Sequence, residues 1–165
     1  PRSRPPTPEA GRGGEDSSPA IPLVLAGLVF SATPARLYFL LEPNPMDLLN
    51  QRDAVPFTSA AGSTIRDLLS RHNSSIQKQS LAEARLAPGA ATTPHHHAVT
   101  EEIYYILSGA AEMTVGTETR AVVPGDAIGV PPGAIHAIRN TGSGELVFLC
   151  TCSPGYETSD TFLAQ

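Results

Sequence analysis

Residues 88–109 read PGAATTPHHHAVTEEIYYILSG, in which Gly89, His95, His97, Glu102 and Gly109 are separated by five, one, four and six residues. A second stretch, residues 125–140, reads GDAIGVPPGAIHAIRN, with Gly125, Pro131, Gly133, His136 and Asn140 separated by five, one, two and three residues. Four of the five histidines of the chain lie in these two stretches. Side chains alternate faces along a strand, so His95 and His97 share a face and His96 turns away. After a short turn, Glu102 opens the next strand and can face the same space as the two imidazoles. His136 lies far along the sequence and would come from a third strand. Two imidazoles, a carboxylate and a distant third imidazole make a mixed nitrogen and oxygen donor set. Such a set suits zinc, iron, manganese, nickel or copper better than calcium. An octahedral shell would leave positions open for water or substrate, as in catalytic rather than closed structural sites.

The two stretches resemble the two sequence motifs of the cupin superfamily. They match at every position named above, including the glycines, Pro131 and Asn140. The resemblance covers about residues 81–152 and extends less clearly back to Met46; the nearest kind is the small, single-domain bacterial monocupin. It implies an all-β fold, a double-stranded β-helix or jelly-roll barrel. It also implies that His95, His97, Glu102 and His136 hold one divalent transition metal, with iron, manganese, zinc and nickel as the candidates. It does not imply one reaction, since cupins include dioxygenases, decarboxylases, isomerases, sugar epimerases, storage proteins and sensor domains. A homodimer is expected from the resemblance alone.

Around these motifs the chain reads as short strands and tight turns. Residues 79–86, 102–107, 111–115, 119–123, 127–130, 135–140 and 145–152 are β-rich or alternating, and Pro88-Gly89, Gly116-Thr117, Pro124-Gly125 and Pro131-Pro132-Gly133 punctuate them. Residues 64–69 are ambiguous between helix and strand and are read as a strand. Residues 46–52 suggest a short helical turn. The reading is one barrel over residues 46–155 and a surface tail over 156–165, with no internal repeat.

Residues 1–45 are set apart as an N-terminal extension. Residues 1–19 are rich in proline, glycine, serine and charge, and are expected to be disordered. Residues 20–32 are apolar but too short for a membrane span. Three readings stand: upstream sequence before a start at Met46, a targeting segment with secretion directed by residues 20–35, or a structural arm.

Charge narrows the partners. The net charge is −5, and residues 46–165 carry seven basic and twelve acidic side chains, so the whole excess falls on the barrel. That argues against nucleic acid and leaves a small-molecule ligand or substrate as the expected partner, with no membrane. Cys150 and Cys152 are too close on one strand to bridge, which fits a reducing, cytoplasmic compartment.

Candidate catalytic groups follow from strand parity. Tyr104 and Ile106 fall on the face of Glu102, where the Tyr104 hydroxyl could donate a proton or hold substrate, or the ring could simply pack. Glu83 and Arg85 share a face. If that face is interior, Arg85 can hold a carboxylate or phosphate and Glu83 can act as a base; if exterior, they form a salt-bridge row of little energetic weight. The alternate row, Ser80, Ala82, Ala84 and Leu86, is apolar enough to be core. Asn140 reads as a turn residue, and Cys150 and Cys152 as small core residues or as thiols lining the pocket. The main expectation is a metal-dependent enzyme acting on a small polar molecule, such as a sugar acid, by dioxygenase, isomerase or decarboxylase chemistry. A non-catalytic binding or sensor module and a storage-type structural dimer are the rivals.

Overall fold

The structure, a computed structural model, describes residues 46–164. The three readings of residues 1–45 lie outside the described residues.

Eleven strands and two single turns of 3-10 helix make up the described chain. The strands are β1 (Phe57–Thr58), β2 (Thr64–Leu69), β3 (Ser80–Leu86), β4 (His95–His97), β5 (Glu101–Ser108), β6 (Ala111–Val115), β7 (Glu118–Val122), β8 (Ala127–Val130), β9 (His136–Asn140), β10 (Leu146–Ser153) and β11 (Thr161–Leu163). They form two antiparallel sheets, of order β1-β2-β3-β10-β5-β8 and β11-β4-β9-β6-β7. The 3-10 turns are Gln51–Asp53 and Thr158–Asp160. The all-β double-sheet barrel expected from the sequence is therefore the observed fold, and residues 64–69 are a strand.

Alternation decides which side chains enter the barrel. Along β5, Glu102, Tyr104 and Ile106 are buried while Ile103, Tyr105 and Leu107 are exposed. Along β9, His136, Ile138 and Asn140 are buried and Arg139 is exposed. Leu86, Ile106, Met113, Ile138, Leu146 and Phe148 close one end of the barrel as its apolar core. Each such side chain contributes about 1.5–3 kcal/mol on leaving water.

The glycine and asparagine positions of the two motifs lock the sheets together. Asn140 is almost fully buried; its Nδ2 donates to the carbonyls of Leu86 and Gly144, and its Oδ1 accepts from the Gly142 amide, all at 2.9 Å. The Gly89 amide in turn donates to the Asn140 carbonyl. Gly109, at φ +94°, carries the chain from one sheet to the other, and a Cβ there would sit 2.9 Å from Leu146 Cα. Only glycine meets both demands.

Two expectations are corrected. The surface tail expected over 156–165 is not found in its described residues, 156–164: β11 pairs antiparallel with β4, setting Thr161 against His97 and Leu163 against His95. Strand β4 meets β9 at a single pair, His95 with His136. Without β11 the strand carrying two of the histidines would have a nearly bare edge. The second correction concerns Glu83 and Arg85, whose row faces out of the barrel, because Ser80, Ala82, Ala84 and Leu86 take the inward positions. There Arg85 Nε donates to Glu83 at 2.6 Å, Arg85 Nη1 to Glu145 at 2.6 Å, and Gln51 Nε2 to Glu83 at 2.9 Å. The short N-terminal turn thus covers Glu83 from outside.

Candidate metal centre

His95, His97, Glu102 and His136 converge as one buried group, with one donor atom from each within 4.8 Å of the others. The imidazoles come from the five-stranded sheet, on β4 and β9, and the carboxylate comes from β5 of the six-stranded sheet. His95 and His136 are direct cross-strand partners, with ring centroids 4.2 Å apart.

The orientation of each ring is set by backbone. Nδ1 of His95 lies 2.8 Å from the Thr93 carbonyl, Nδ1 of His136 lies 3.0 Å from the Ala134 carbonyl, and Nδ1 of His97 lies 3.1 Å from the Asp160 carbonyl. A carbonyl only accepts, so each Nδ1 carries a proton and each Nε2 is the ring atom turned toward the cluster. Nε2 of His136 then stands 3.1 Å, and Nε2 of His97 3.4 Å, from Glu102 Oε2. His97 Nε2 is buried and makes no hydrogen bond within the protein. A buried polar atom without a partner is costly unless something else satisfies it. Three oriented imidazoles, one carboxylate and that orphaned nitrogen fit a divalent transition metal.

Electrostatics point the same way. Burial pushes the Glu102 carboxyl up, but the imidazoles of His136 and His97 outweigh it and hold the group at about 2, so it is ionised. Burial and the neighbouring His136 push His95 down, toward the neutral form that ligates. Burial also opposes charge on His97, yet the Glu102 carboxylate outweighs it and the net direction is up.

The C-terminal segment supports this end of the barrel. Besides offering its carbonyl to His97, Asp160 accepts from the amides of Ala98, Val99 and Thr100 at 3.0–3.4 Å through its carboxylate. The Pro131-Pro132-Gly133 turn closes the other side, with the Gly133 amide donating to the His97 carbonyl at 2.6 Å. Asp160 escaped sequence reasoning. Its only local signal is the acid and hydroxyl run Glu-Thr-Ser-Asp before a β-prone Thr-Phe-Leu, which says nothing about its partner.

The cluster opens on a cavity of about 520 Å³, whose lining includes His95, His97, Glu102, Tyr104, Cys150 and Cys152. Tyr104 therefore lies beside the cluster, stacked on Phe148 and edge-on to His136. Burial and the Glu102 charge push its phenol well above the ordinary value. Burial likewise pushes both thiols up, with Glu102 adding to it. Glu83 and Arg85 are not brought to the cavity. His96 faces away and stacks on Phe162, with ring centroids 5.3 Å apart. His72, which the sequence did not single out, stands at the cavity 3.4 Å from Glu157.

A double-sheet β-barrel with a buried three-histidine, one-carboxylate cluster defines a class that comparison with known proteins makes specific. The profile of the cupin domain matches residues 82–152, and the chain belongs to the cupin family. An uncharacterized protein of Methanocaldococcus jannaschii is 43% identical over 106 residues, covering 64% of this chain and 85% of that one. A protein of Thermotoga maritima described as a predicted oxalate decarboxylase is 26% identical, with a TM-score of 0.58 over 66% of this chain and 99% of that one. The polyketide cyclase RemF of Streptomyces resistomycificus is 23% identical, with a TM-score of 0.63 over 73% of this chain and 87% of that one. Among the described residues, no helix is long and apolar enough to cross a membrane.

Proposed function

We propose that His95, His97, Glu102 and His136 hold one divalent transition metal, and that the protein is an enzyme acting on a small molecule that reaches that metal through the cavity. The observation that carries this reading is the convergence of backbone-oriented imidazoles on an ionised carboxylate, with His97 Nε2 left without a protein partner. A bound metal would act as a Lewis acid toward a substrate oxygen, or as an anchor for both substrate and a second reactant. Dioxygenase, isomerase and decarboxylase chemistry all fit iron, manganese, zinc or nickel in such a donor set. The chain's own contribution is to orient the donors, exclude water with the apolar wall around Phe148, and place the Tyr104 hydroxyl beside Glu102.

Elemental analysis of untagged protein beside a His136→Ala variant tests the reading. Near one metal per chain is expected in the wild type, with affinity lost by more than about a hundredfold in the variant, beyond the range of effects from groups outside the ligand set. Equal metal content in the two proteins would refute the site. Iron or manganese directs the search to oxygen uptake, and zinc or nickel to isomerase assays.

A binding or sensor role is the second reading. It is favoured by Tyr104, Cys150 and Cys152, whose hydroxyl and thiols burial keeps protonated, so that none of the three offers an ionised nucleophile beside the cluster. Metal-loaded protein that binds ligand without turnover would select it. A homodimer is also proposed, supported by the exposed Ile103, Tyr105 and Leu107 on the outer face of β5; sedimentation would test it. The two free thiols suit a cytoplasmic location.

A further inference from the structure

The geometry points to an uncharged, largely apolar ligand, of ring size or larger, that presents adjacent oxygens to the metal cluster. This rests on the metal reading above and adds the class of molecule. It also replaces the sugar acid or other anion that an inward Arg85 would have suited.

The register of the six-stranded sheet lays out the cavity wall. Ala84 stands between Ile65 and Phe148, Ala82 between Asp67 and Cys150, and Ser80 beside Cys152. These pairs continue across β10 to Ile106, Tyr104 and Glu102. The inward row of β3 is thus small where its neighbours are large. Ala82 and Ala84 leave the room that the cavity occupies, and Phe148, Tyr104 and Ile65 give that room an apolar wall. A volume of about 520 Å³ exceeds what a two-carbon acid would fill.

Charge sharpens the choice. Among the described residues, no lysine or arginine lines the cavity. Two nearby guanidinium groups are engaged outside, Arg66 at 3.6 Å and Arg85 at 2.6 Å from the outward Glu83, and Arg71 is already paired, 2.5 Å from the Glu157 carboxylate of the lining. Outside the four-residue cluster, the side chains with titratable groups that line it are Asp67, Glu157 and His72. Asp67 accepts from the Ser70 hydroxyl at 2.6 Å and has no cation beside it. A carboxylate or phosphate entering here meets the unpaired Asp67 carboxylate and finds no forked cation free of a carboxylate partner. An uncharged molecule with oxygens at one end loses nothing by that lack.

Methyl phenylglyoxylate and phenylglyoxylate form a matched pair of probes. Both can chelate through two adjacent carbonyl oxygens beside one phenyl ring without losing a proton, and only phenylglyoxylate is charged. The full chain loaded with cobalt(II) is titrated with each, following heat and the visible cobalt bands. Relative to their ratio on cobalt in buffer, the ester is expected to gain about tenfold over the anion. Asp67→Asn, which keeps an acceptor for Ser70, should raise phenylglyoxylate affinity about threefold and leave the ester unchanged. Ala82→Leu fills the cavity floor and should weaken the ester while the ligand-free cobalt bands persist. No gain of the ester over the anion, or an Asp67→Asn variant that moves both alike, would overturn the inference while leaving the metal reading intact. Cobalt bands missing before any probe is added would overturn the metal reading, and this inference with it.

Discussion

The two ends of the barrel are built from the same strands and differ in what those strands point inward. On β10 the inward row runs Leu146, Phe148, Cys150, Cys152; on β5 it runs Ile106, Tyr104, Glu102; on β9 it runs Asn140, Ile138, His136; on β3 it runs Leu86, Ala84, Ala82, Ser80. Apart from Asn140, whose amide is spent on backbone, each row passes from large apolar groups at the closed end to small or polar ones at the open end. The closed end is held by burial, which is non-directional and tolerant of the identity of its members. The open end is held by directed hydrogen bonds that each ring Nδ1–H donates to a backbone carbonyl, and those fix atoms rather than volumes. One strand thus serves stability and chemistry two residues apart.

Substitutions on one strand can separate the two ends. Ile138→Ala at the closed end should cost about 3 kcal/mol of stability in a denaturant titration, with metal content per folded chain unchanged. Paired with His136→Ala, which is expected to lose metal, it forms a direct contrast. Metal loss in Ile138→Ala that persists in folded protein would mean that the two ends are not separable.

The next effect is on the acid limb of the metal-free protein. Glu102 is held at about 2, below its ordinary 4.5. Its share of stability is therefore fully present above about pH 4.5 and lost as pH falls through about 2, and amounts to about 3 kcal/mol. Glu102→Gln should flatten this limb. An unchanged acid limb would show that other carboxylates govern it.

Smaller effects are expected at the supports of the open end. Asp160→Ala removes the acceptor of three amides between β4 and β5, and should weaken metal binding about tenfold, with partial recovery in Asp160→Asn. No change in metal affinity would show that backbone pairing by β11 suffices. Smallest of all is Arg85→Ala on the outer face, where stability should change by less than about 1 kcal/mol and metal content not at all. A large loss of ligand binding there would bring Arg85 back to the site.

Much of this was legible from spacing. His95 and His97 are two apart on one strand, and Glu102, Tyr104 and Ile106 share a parity, so their common face follows from alternation alone. Asn140, with its buried amide bonds, and His96, turned outward, also followed from parity and turn chemistry. Glu83 and Arg85 show the limit of the same rule. Parity says that they share a face, but either face of β3 satisfies the alternation. The choice was made by Ala82 and Ala84, whose small side chains leave space for the cavity, and by Gln51, Arg66 and Glu145, which meet Glu83 and Arg85 outside.

What the sequence by itself determined was the strands, their turns and the four members of the cluster, because these rest on local periodicity, on glycine's conformational freedom and on donor chemistry. The barrel came from the resemblance of the two motifs to those of the cupins. Only the tertiary structure decided that residues 161–163 form a strand beside His95 and His97, that the Asp160 carbonyl orients His97, and that no lysine or arginine lines the cavity among the described residues. Those depend on which distant segments meet, and the register that brings Thr161 to His97 leaves no mark in either segment alone.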